Sequence, residues 1–183
     1  MEQENNKNIK RAGRKLAYLL RHGDPEMTEV DHNGWMSVNE ALKMCAINQN
    51  ELDYIVENNN KKRFEYDAAK TLIRARQGHS IDVDVELERK SPPEVLYHGT
   101  NSESASMIMA SGIKSMKRNH VHLSDSEEIA TGVGQRKREK TVVLVVEAAK
   151  AENNGVNFYL SNNGVWLADY IPSVYVREMF SVN

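Results

Sequence analysis

Glu86-Leu87-Glu88-Arg89-Lys90-Ser91-Pro92-Pro93 interrupts the chain with a charged stretch that ends in two prolines. Proline fixes φ and lacks a backbone N–H, so regular structure stops there and the linker stiffens. The patterns on its two sides differ. Helical spacing dominates before it and strand-like runs dominate after it. The chain therefore reads as two small lobes, residues 1–88 and residues 89–183, of an α+β fold, and its 183 residues suit that division.

In the first lobe, Ile9, Ala12, Leu16, Leu19 and Leu20 form an apolar stripe, which predicts a helix over residues 7–22 stopped by Gly23-Asp24-Pro25. Gly34-Trp35-Met36 reads as a short extended piece. Ser37-Val38-Asn39-Glu40 carries a capping-box pattern, so a second helix is expected from Val38. A third fits Glu51 to about Asn58 with Asn50 as its cap. Residues 63–66 and 71–76 read as two strands, the second with Thr71, Ile73 and Ala75 on one face and Leu72, Arg74 and Arg76 on the other. Three helices and a two-stranded ribbon suggest a winged-helix-like unit, although the same order fits any small α+β domain.

The second lobe opens with a strand over residues 95–98, a helix over 101–110 stopped by Gly112, a strand over 120–124 and a short helix over 126–131. Residues 141–148, Thr-Val-Val-Leu-Val-Val-Glu-Ala, read as a strand buried on both faces. Residues 157–160, 165–167 and 174–176 complete a mainly antiparallel set.

Net charge is −2, so a global basic field is excluded and any nucleic-acid binding must rest on local clusters. Four exist: Lys10/Arg11/Arg14/Lys15, Lys61/Lys62/Arg63 with Arg74/Arg76, Lys114/Lys117/Arg118, and Arg136/Lys137/Arg138/Lys140. The last is read as a solvated face. The single cysteine, Cys45, follows an apolar helical stretch and reads as core, in keeping with a reducing, cytoplasmic setting.

The blocks that carry chemistry are few. Arg21-His22 ends the first helix, where positive groups also favour the negative end of its dipole. Arg74-Ala75-Arg76-Gln77-Gly78-His79-Ser80 delivers two arginines from one strand face and then turns at a glycine; arginine binds phosphate oxygens in a fork. In Tyr97-His98-Gly99-Thr100 a strand ends in histidine and glycine before a helix, a place where a ligand can approach the backbone and a phosphate can meet a helix N-terminus. His120 and His122 share a strand face. With no cysteine or carboxylate in a familiar ligand pattern around them, they read as core or cofactor-facing rather than as metal ligands. The sequence has neither a Gly-x-Gly-x-x-Gly fingerprint nor a Walker-type loop.

Leu19-Leu20-Arg21-His22, Gly34-Trp35-Met36-Ser37-Val38, Ile73-Arg74-Ala75-Arg76-Gln77-Gly78-His79-Ser80, Tyr97-His98-Gly99-Thr100, Arg118-Asn119-His120-Val121-His122-Leu123-Ser124 and Asn163-Gly164-Val165-Trp166-Leu167 together resemble the NAD-dependent RNA 2′-phosphotransferases in order and spacing. The resemblance implies an N-terminal winged-helix-like RNA-binding lobe and a C-terminal NAD-binding lobe of the ADP-ribosyltransferase fold. It implies a catalytic set of Arg21, His22, Arg74 and Arg118, drawn from both halves of the chain. His98 and His122 match the first two positions of the ADP-ribosyltransferase triad, and the third falls on Val165. Gly99, Thr100 and Ser124 complete the expected cofactor-binding set, with no metal. The implied reaction has two steps. RNA 2′-phosphate displaces nicotinamide from NAD, and the ribose 2″-hydroxyl then attacks phosphorus, leaving 2′-OH RNA and ADP-ribose 1″,2″-cyclic phosphate. The expected partner is 2′-phosphorylated RNA, with a spliced tRNA as the obvious candidate, and the expected state is a monomer away from membranes. Two rival readings are an ADP-ribosyl transfer that leaves ADP-ribose on its acceptor, and a winged-helix regulator without catalysis.

Overall fold

The computed structural model describes residues 2–23, 28–135 and 140–178, with side chains from residue 7 onward. It is a mixed α+β structure that divides into two compact units, Met1–Glu86 and Leu87–Asn183. No helix among the described residues is long and apolar enough to cross a membrane.

The N-terminal unit packs three helices, α1 (Glu2–His22), α2 (Val38–Cys45) and α3 (Gln49–Glu57), with strands β1 (Trp35–Ser37), β2 (Phe64–Tyr66) and β3 (Leu72–Ala75). The strands form an antiparallel sheet in the order β1-β3-β2. The α1 stripe of Ala12, Leu16, Leu19 and Leu20 is buried with Leu52 and Ile55 of α3 and with Met36, Phe64 and Ile73 of the sheet. Cys45 lies in this core, and burial pushes its thiol pKa above the ordinary value, as befits a packing residue rather than a nucleophile. Helix α1 starts earlier than its apolar stripe implies; Asp24 and Pro25 of the expected stop lie outside the described residues, as do Arg136, Lys137 and Arg138 of the fourth basic cluster.

The expected caps need correction. Ser37 precedes α2 but makes no side-chain cap bond, and the Glu40 carboxylate that would complete the box accepts instead, through Oε1, from the backbone N–H of Glu29 at 3.2 Å. The capping box forms one helix later. Asn48, not Asn50, caps α3: its Oδ1 accepts from Glu51 N at 3.0 Å, and Glu51 Oε2 accepts from Asn48 N at 2.9 Å.

In the C-terminal unit, β5 (Leu96–Asn101) runs antiparallel to β8 (Thr141–Val146), which also pairs with β12 (Val176–Glu178). A second sheet has the order β4-β9-β10-β7, from Glu88–Arg89, Phe158–Leu160, Trp166–Ala168 and Val121–Leu123. Its edge strand β4 lies inside the charged stretch that the sequence suggests is a linker: Glu88 pairs with Leu160 and Arg89 with Tyr159. Two short strands, β6 (Ile113–Lys114) and β11 (Tyr170–Ile171), pair separately. Helices α4 (Ser102–Ser111), α5 (Glu127–Gly134) and α6 (Ala148–Asn153) complete the unit. The apolar run ends at Val146, and Ala148 begins α6 instead of extending the strand. Of residues 174–176, expected as strand, Val174 and Tyr175 belong to a 3-10 turn over Ser173–Tyr175 and only Val176 enters β12. Leu96, Leu144, Val146, Phe158, Trp166 and Ile171 lie in the core.

Candidate functional site

Arg21 and His22 form the last turn of α1. A helix end leaves carbonyls without intrahelical partners. The loop after β3 supplies one: Ser80 N donates to the Arg21 carbonyl at 2.9 Å. Ser80 also meets the imidazole, with Oγ 2.8 Å from His22 Nδ1 and 3.5 Å from the Arg21 carbonyl. A carbonyl can only accept. With Nδ1–H donating to Oγ, Nε2 is the ring nitrogen left to face a ligand. Gly78 supplies the left-handed backbone turn in this loop. Its φ is +89°, and a Cβ there would sit 3.4 Å from Arg21 Cζ and Nε. The structure thus brings Arg21 and His22 against Gly78 and Ser80. Ser80 was absent from the expected site; its signal is a hydroxyl two residues after Gly78 in the same block.

Arg74 sits on β3 with only 8% of its surface exposed. Its alternate-face position holds, since Ile73 and Ala75 enter the apolar core, but that second face is covered as well. The guanidinium lies 4.3 Å from the Trp35 ring centroid, and Nε donates to Glu65 Oε1 at 2.7 Å. Nη1 reaches the Asn33 carbonyl at 3.3 Å and Glu86 Oε2 at 3.5 Å. Register explains the main partner, because Glu65 lies directly opposite Arg74 across the β2–β3 pair. The other Glu65 oxygen is 3.2 Å from Arg76 Nε. One carboxylate thus serves two guanidinium groups. Arg74 is pre-oriented, with Nε committed to Glu65 and Nη1 3.5 Å from the exposed carboxylate of Glu86.

The C-terminal unit gathers a second set. Backbone bonds from Tyr97 N to Ser124 O (2.7 Å) and from Ser124 N to Tyr97 O (2.9 Å) fasten β5 beside the end of β7. This places His98 next to His122. Each ring is held by a backbone carbonyl: His98 Nδ1 donates to His122 O at 3.0 Å, and His122 Nδ1 donates to His120 O at 3.0 Å. Both rings therefore carry the proton on Nδ1, which makes Nε2 the acceptor of each neutral ring. Burial pulls the His98 pKa below its ordinary value, opposed by the bond to the His122 carbonyl, so the ring is neutral at pH 7.

His98, Thr100, Arg118 and His122 line one cavity of about 550 Å³ with Lys114 and Lys117. Apolar Met107 and Ile108 from α4 complete its wall. A cavity of this size takes a ligand as large as a nucleotide, and its three cations suit a phosphate-bearing one. The adjoining α4 N-terminus is partly closed by its own cap, Asn101 Oδ1 accepting from Ser104 N at 2.8 Å.

Two expected cofactor residues stand elsewhere. Ser124 is not among the cavity's lining residues; its Oγ accepts from Ser126 N at 3.1 Å, at the entry to α5. Gly99 has a packing reason for its missing side chain. A Cβ there would lie 1.7 Å from the Ala130 carbonyl oxygen and 3.0 Å from Gly134 N. Gly134 reciprocates, since its Cβ would lie 2.4 Å from Thr141 Cγ2 and 3.0 Å from Thr100 O. The glycines let α5 lie on β5 backbone to backbone, and this close approach by itself requires a glycine at position 99. Val165 ends a turn closed by Ser161, whose Oγ accepts from Val165 N at 3.0 Å, immediately before β10.

A sequence profile of the RNA 2′-phosphotransferase, Tpt1/KptA family matches residues 7–170. The chain is also similar to curated bacterial proteins named "Probable RNA 2′-phosphotransferase". The Flavobacterium johnsoniae protein is 44% identical over 179 residues, which cover 94% of this chain and 98% of that one. The Nostoc punctiforme protein is 42% identical over 170 residues, 90% of this chain and 93% of the relative. The Burkholderia pseudomallei protein is 42% identical over 173 residues, 91% and 94% of the two chains. The match spans both units and every block that carries a charged or histidine cluster; the chain belongs to the RNA 2′-phosphotransferase, Tpt1/KptA family.

Proposed function

We propose that this RNA 2′-phosphotransferase family member uses NAD as the phosphate acceptor, in two steps through an RNA-2′-phospho-ADP-ribose intermediate. The observation that carries the reading is the cavity holding His98, Thr100, Arg118 and His122 together, with both histidines fixed by backbone carbonyls. We read the C-terminal unit as ADP-ribosyltransferase-like and the N-terminal unit as a winged-helix-like RNA-binding lobe. In support, the first presents antiparallel strands with histidines on β5 and β7, and the second has three helices and a small antiparallel sheet.

NAD supplies an anomeric carbon with a good leaving group. The dianionic 2′-phosphate forms the new bond to that carbon as the bond to nicotinamide breaks, and the electron pair of that bond neutralises the pyridinium. Phosphate is already a competent nucleophile, so a hydrophobic Val165 at the third triad position is compatible with the chemistry. In the second step the ribose 2″-hydroxyl bonds to phosphorus and gives up its proton to solvent. The bond from phosphorus to the RNA 2′-oxygen breaks, and that oxygen takes a proton. Arg21, Arg74 and Arg118 hold the phosphate and stabilise its charge. His22 donates the proton, oriented by Ser80. His98 and His122 bind the NAD ribose and nicotinamide end through Nε2, with Thr100 beside them. None of these roles needs a metal, so activity should survive exhaustive chelation.

The test is nicotinamide release from NAD with 2′-phosphorylated RNA, followed by rapid quench of Arg74→Lys. Lysine keeps the charge but loses the fork, the Nε bond to Glu65 and the Trp35 stack. The intermediate should accumulate in the variant, with a thermal melt confirming that it is folded. No nicotinamide release, or a stable ADP-ribosylated acceptor as the end product, overturns the reading.

A further inference from the structure

A groove of about 450 Å³ runs between α1 and α3 of the N-terminal unit, and none of Arg21, His22 and Arg74 lines it. Lys10, Arg14 and Arg63 supply cations, Tyr54 an aromatic ring, and Asn58 and Gly13 the remaining features used here; no carboxylate is among its lining residues. Lys10 and Arg14 are exposed, and Tyr54 is 51% exposed although it is a large ring. The Arg63 guanidinium is set in place, with Nη1 donating to Asn59 Oδ1 at 3.1 Å.

Gly13 is the informative residue. Glycine is a poor helix former, and Gly13 lies in the middle of α1. Its φ is not positive, and a Cβ would meet only Ile55 Cγ2, at an ordinary 3.4 Å. Neither backbone conformation nor packing calls for a glycine there. What its missing side chain provides is an open floor, where another backbone can approach the helix.

Position on the helix supplies the direction. Lys10, Arg14, Ala17 and Arg21 follow steps of four, three and four residues, so they fall on one stripe of α1. At the helical rise, Lys10 lies roughly 16 Å along the axis from Arg21. We propose that this groove is a second RNA site, a track for the sugar-phosphate backbone and one stacked base of the strand that carries the 2′-phosphate. Cations without carboxylates, an aromatic face and an open floor are what a single strand needs. The proposal rests on the RNA part of the functional reading and not on NAD.

The test uses the full chain with Lys10→Ala/Arg14→Ala, two exposed side chains whose removal spares the core, and with Gly13→Met, which fills the floor and keeps every charge. Fluorescence anisotropy with a single-stranded RNA of about a dozen nucleotides lacking any 2′-phosphate reads binding without catalysis. Binding should weaken about tenfold in the double variant, and its dependence on salt should become shallower by about 1.4 in log–log slope, two phosphate contacts' worth. Gly13→Met should weaken binding without changing that slope. With 2′-phosphorylated substrates, KM should rise for the long RNA but not for a trinucleotide too short to reach the groove. Unchanged RNA binding in both variants overturns the proposal. So does an equal loss on the trinucleotide, which would place these charges on the reacting phosphate. Variant-sensitive binding of polyglutamate with RNA binding unaffected overturns it in favour of an acidic protein partner. Because unphosphorylated RNA needs no NAD, a failed nicotinamide-release assay leaves the binding result standing.

Discussion

In the N-terminal unit the charged groups are held mainly by other side chains: Arg74 by Glu65, Glu86 and Trp35 besides the Asn33 carbonyl, and His22 by Ser80. In the C-terminal unit the histidines are held by backbone carbonyls, that of His122 on β7 and that of His120 just before it. The contrast follows chemistry. Carboxylates and hydroxyls that balance a cation can yield to a competing anion, so the first arrangement suits side chains that exchange partners. A backbone carbonyl cannot yield without breaking a strand. The second arrangement fixes one tautomer and presents Nε2 of each ring as a fixed acceptor for a ligand donor.

Arg118 is the sharpest way to break this comparison, because it stands in the C-terminal unit yet is assigned to the phosphate. It is exposed, on a turn where its N–H donates to Ser115 O at 3.2 Å. Arg118→Ala should retain NAD affinity by calorimetric titration and lose roughly 10²–10³ in turnover. An affinity loss matching the loss of turnover would assign Arg118 to the dinucleotide instead.

Backbone-level packing makes the C-terminal unit intolerant of small changes. Gly99→Ala drives a methyl into the Ala130 carbonyl, a rigid neighbour, and should cost about 3 kcal/mol or more. Gly132→Ala on the same helix meets nothing within 4 Å and should be stabilising by up to about 1 kcal/mol. Urea unfolding of both proteins checks the pair; similar midpoints would show that α5 can move away from β5.

Ser80→Ala tests whether side-chain orientation matters in the N-terminal unit. Losing the bond to His22 Nδ1 should slow the second step by a factor of roughly five to ten, about 1 kcal/mol, with KM unchanged. The His22 limb of the pH–rate profile should move, and Ser80→Thr should restore it. A profile that does not move would make Ser80 only a clasp for the helix end.

The smallest effect concerns pH. Burial lowers the pKa of His98 and of His120, the latter opposed by Asp169. The unfolded chain therefore binds more protons over the window from the ordinary imidazole value of 6.5 down to the lowered folded values. Stability is full above that window and falls as pH drops through it. Melting temperature measured from pH 7.5 to pH 5 should decline, less steeply in His98→Gln. Parallel curves would remove His98 as a contributor.

Local periodicity was enough to place the α1 stripe, the apolar run now seen as β8, and the glycine stop after α4. These features depend on neighbours a few residues apart. The two capping patterns show where that reach ends. Ser37/Glu40 and Asn48/Glu51 look alike in the chain, yet only the second closes, and Glu40 instead accepts from the distant backbone of Glu29. The site blocks could be picked out by residue type, but not their partners. Strand register set Glu65 opposite Arg74, and the β5–β7 bridge put His98 against the carbonyl of His122, 24 residues away. The Gly99–Gly134 approach, a packing reason for a glycine beside the cofactor role the resemblance implies, depends on a helix laid over a strand from another part of the chain. By itself the sequence determined which groups are present and on what kind of element. The tertiary structure decided what each group touches, because register, tautomer and close approach are set by contacts between residues far apart in the chain.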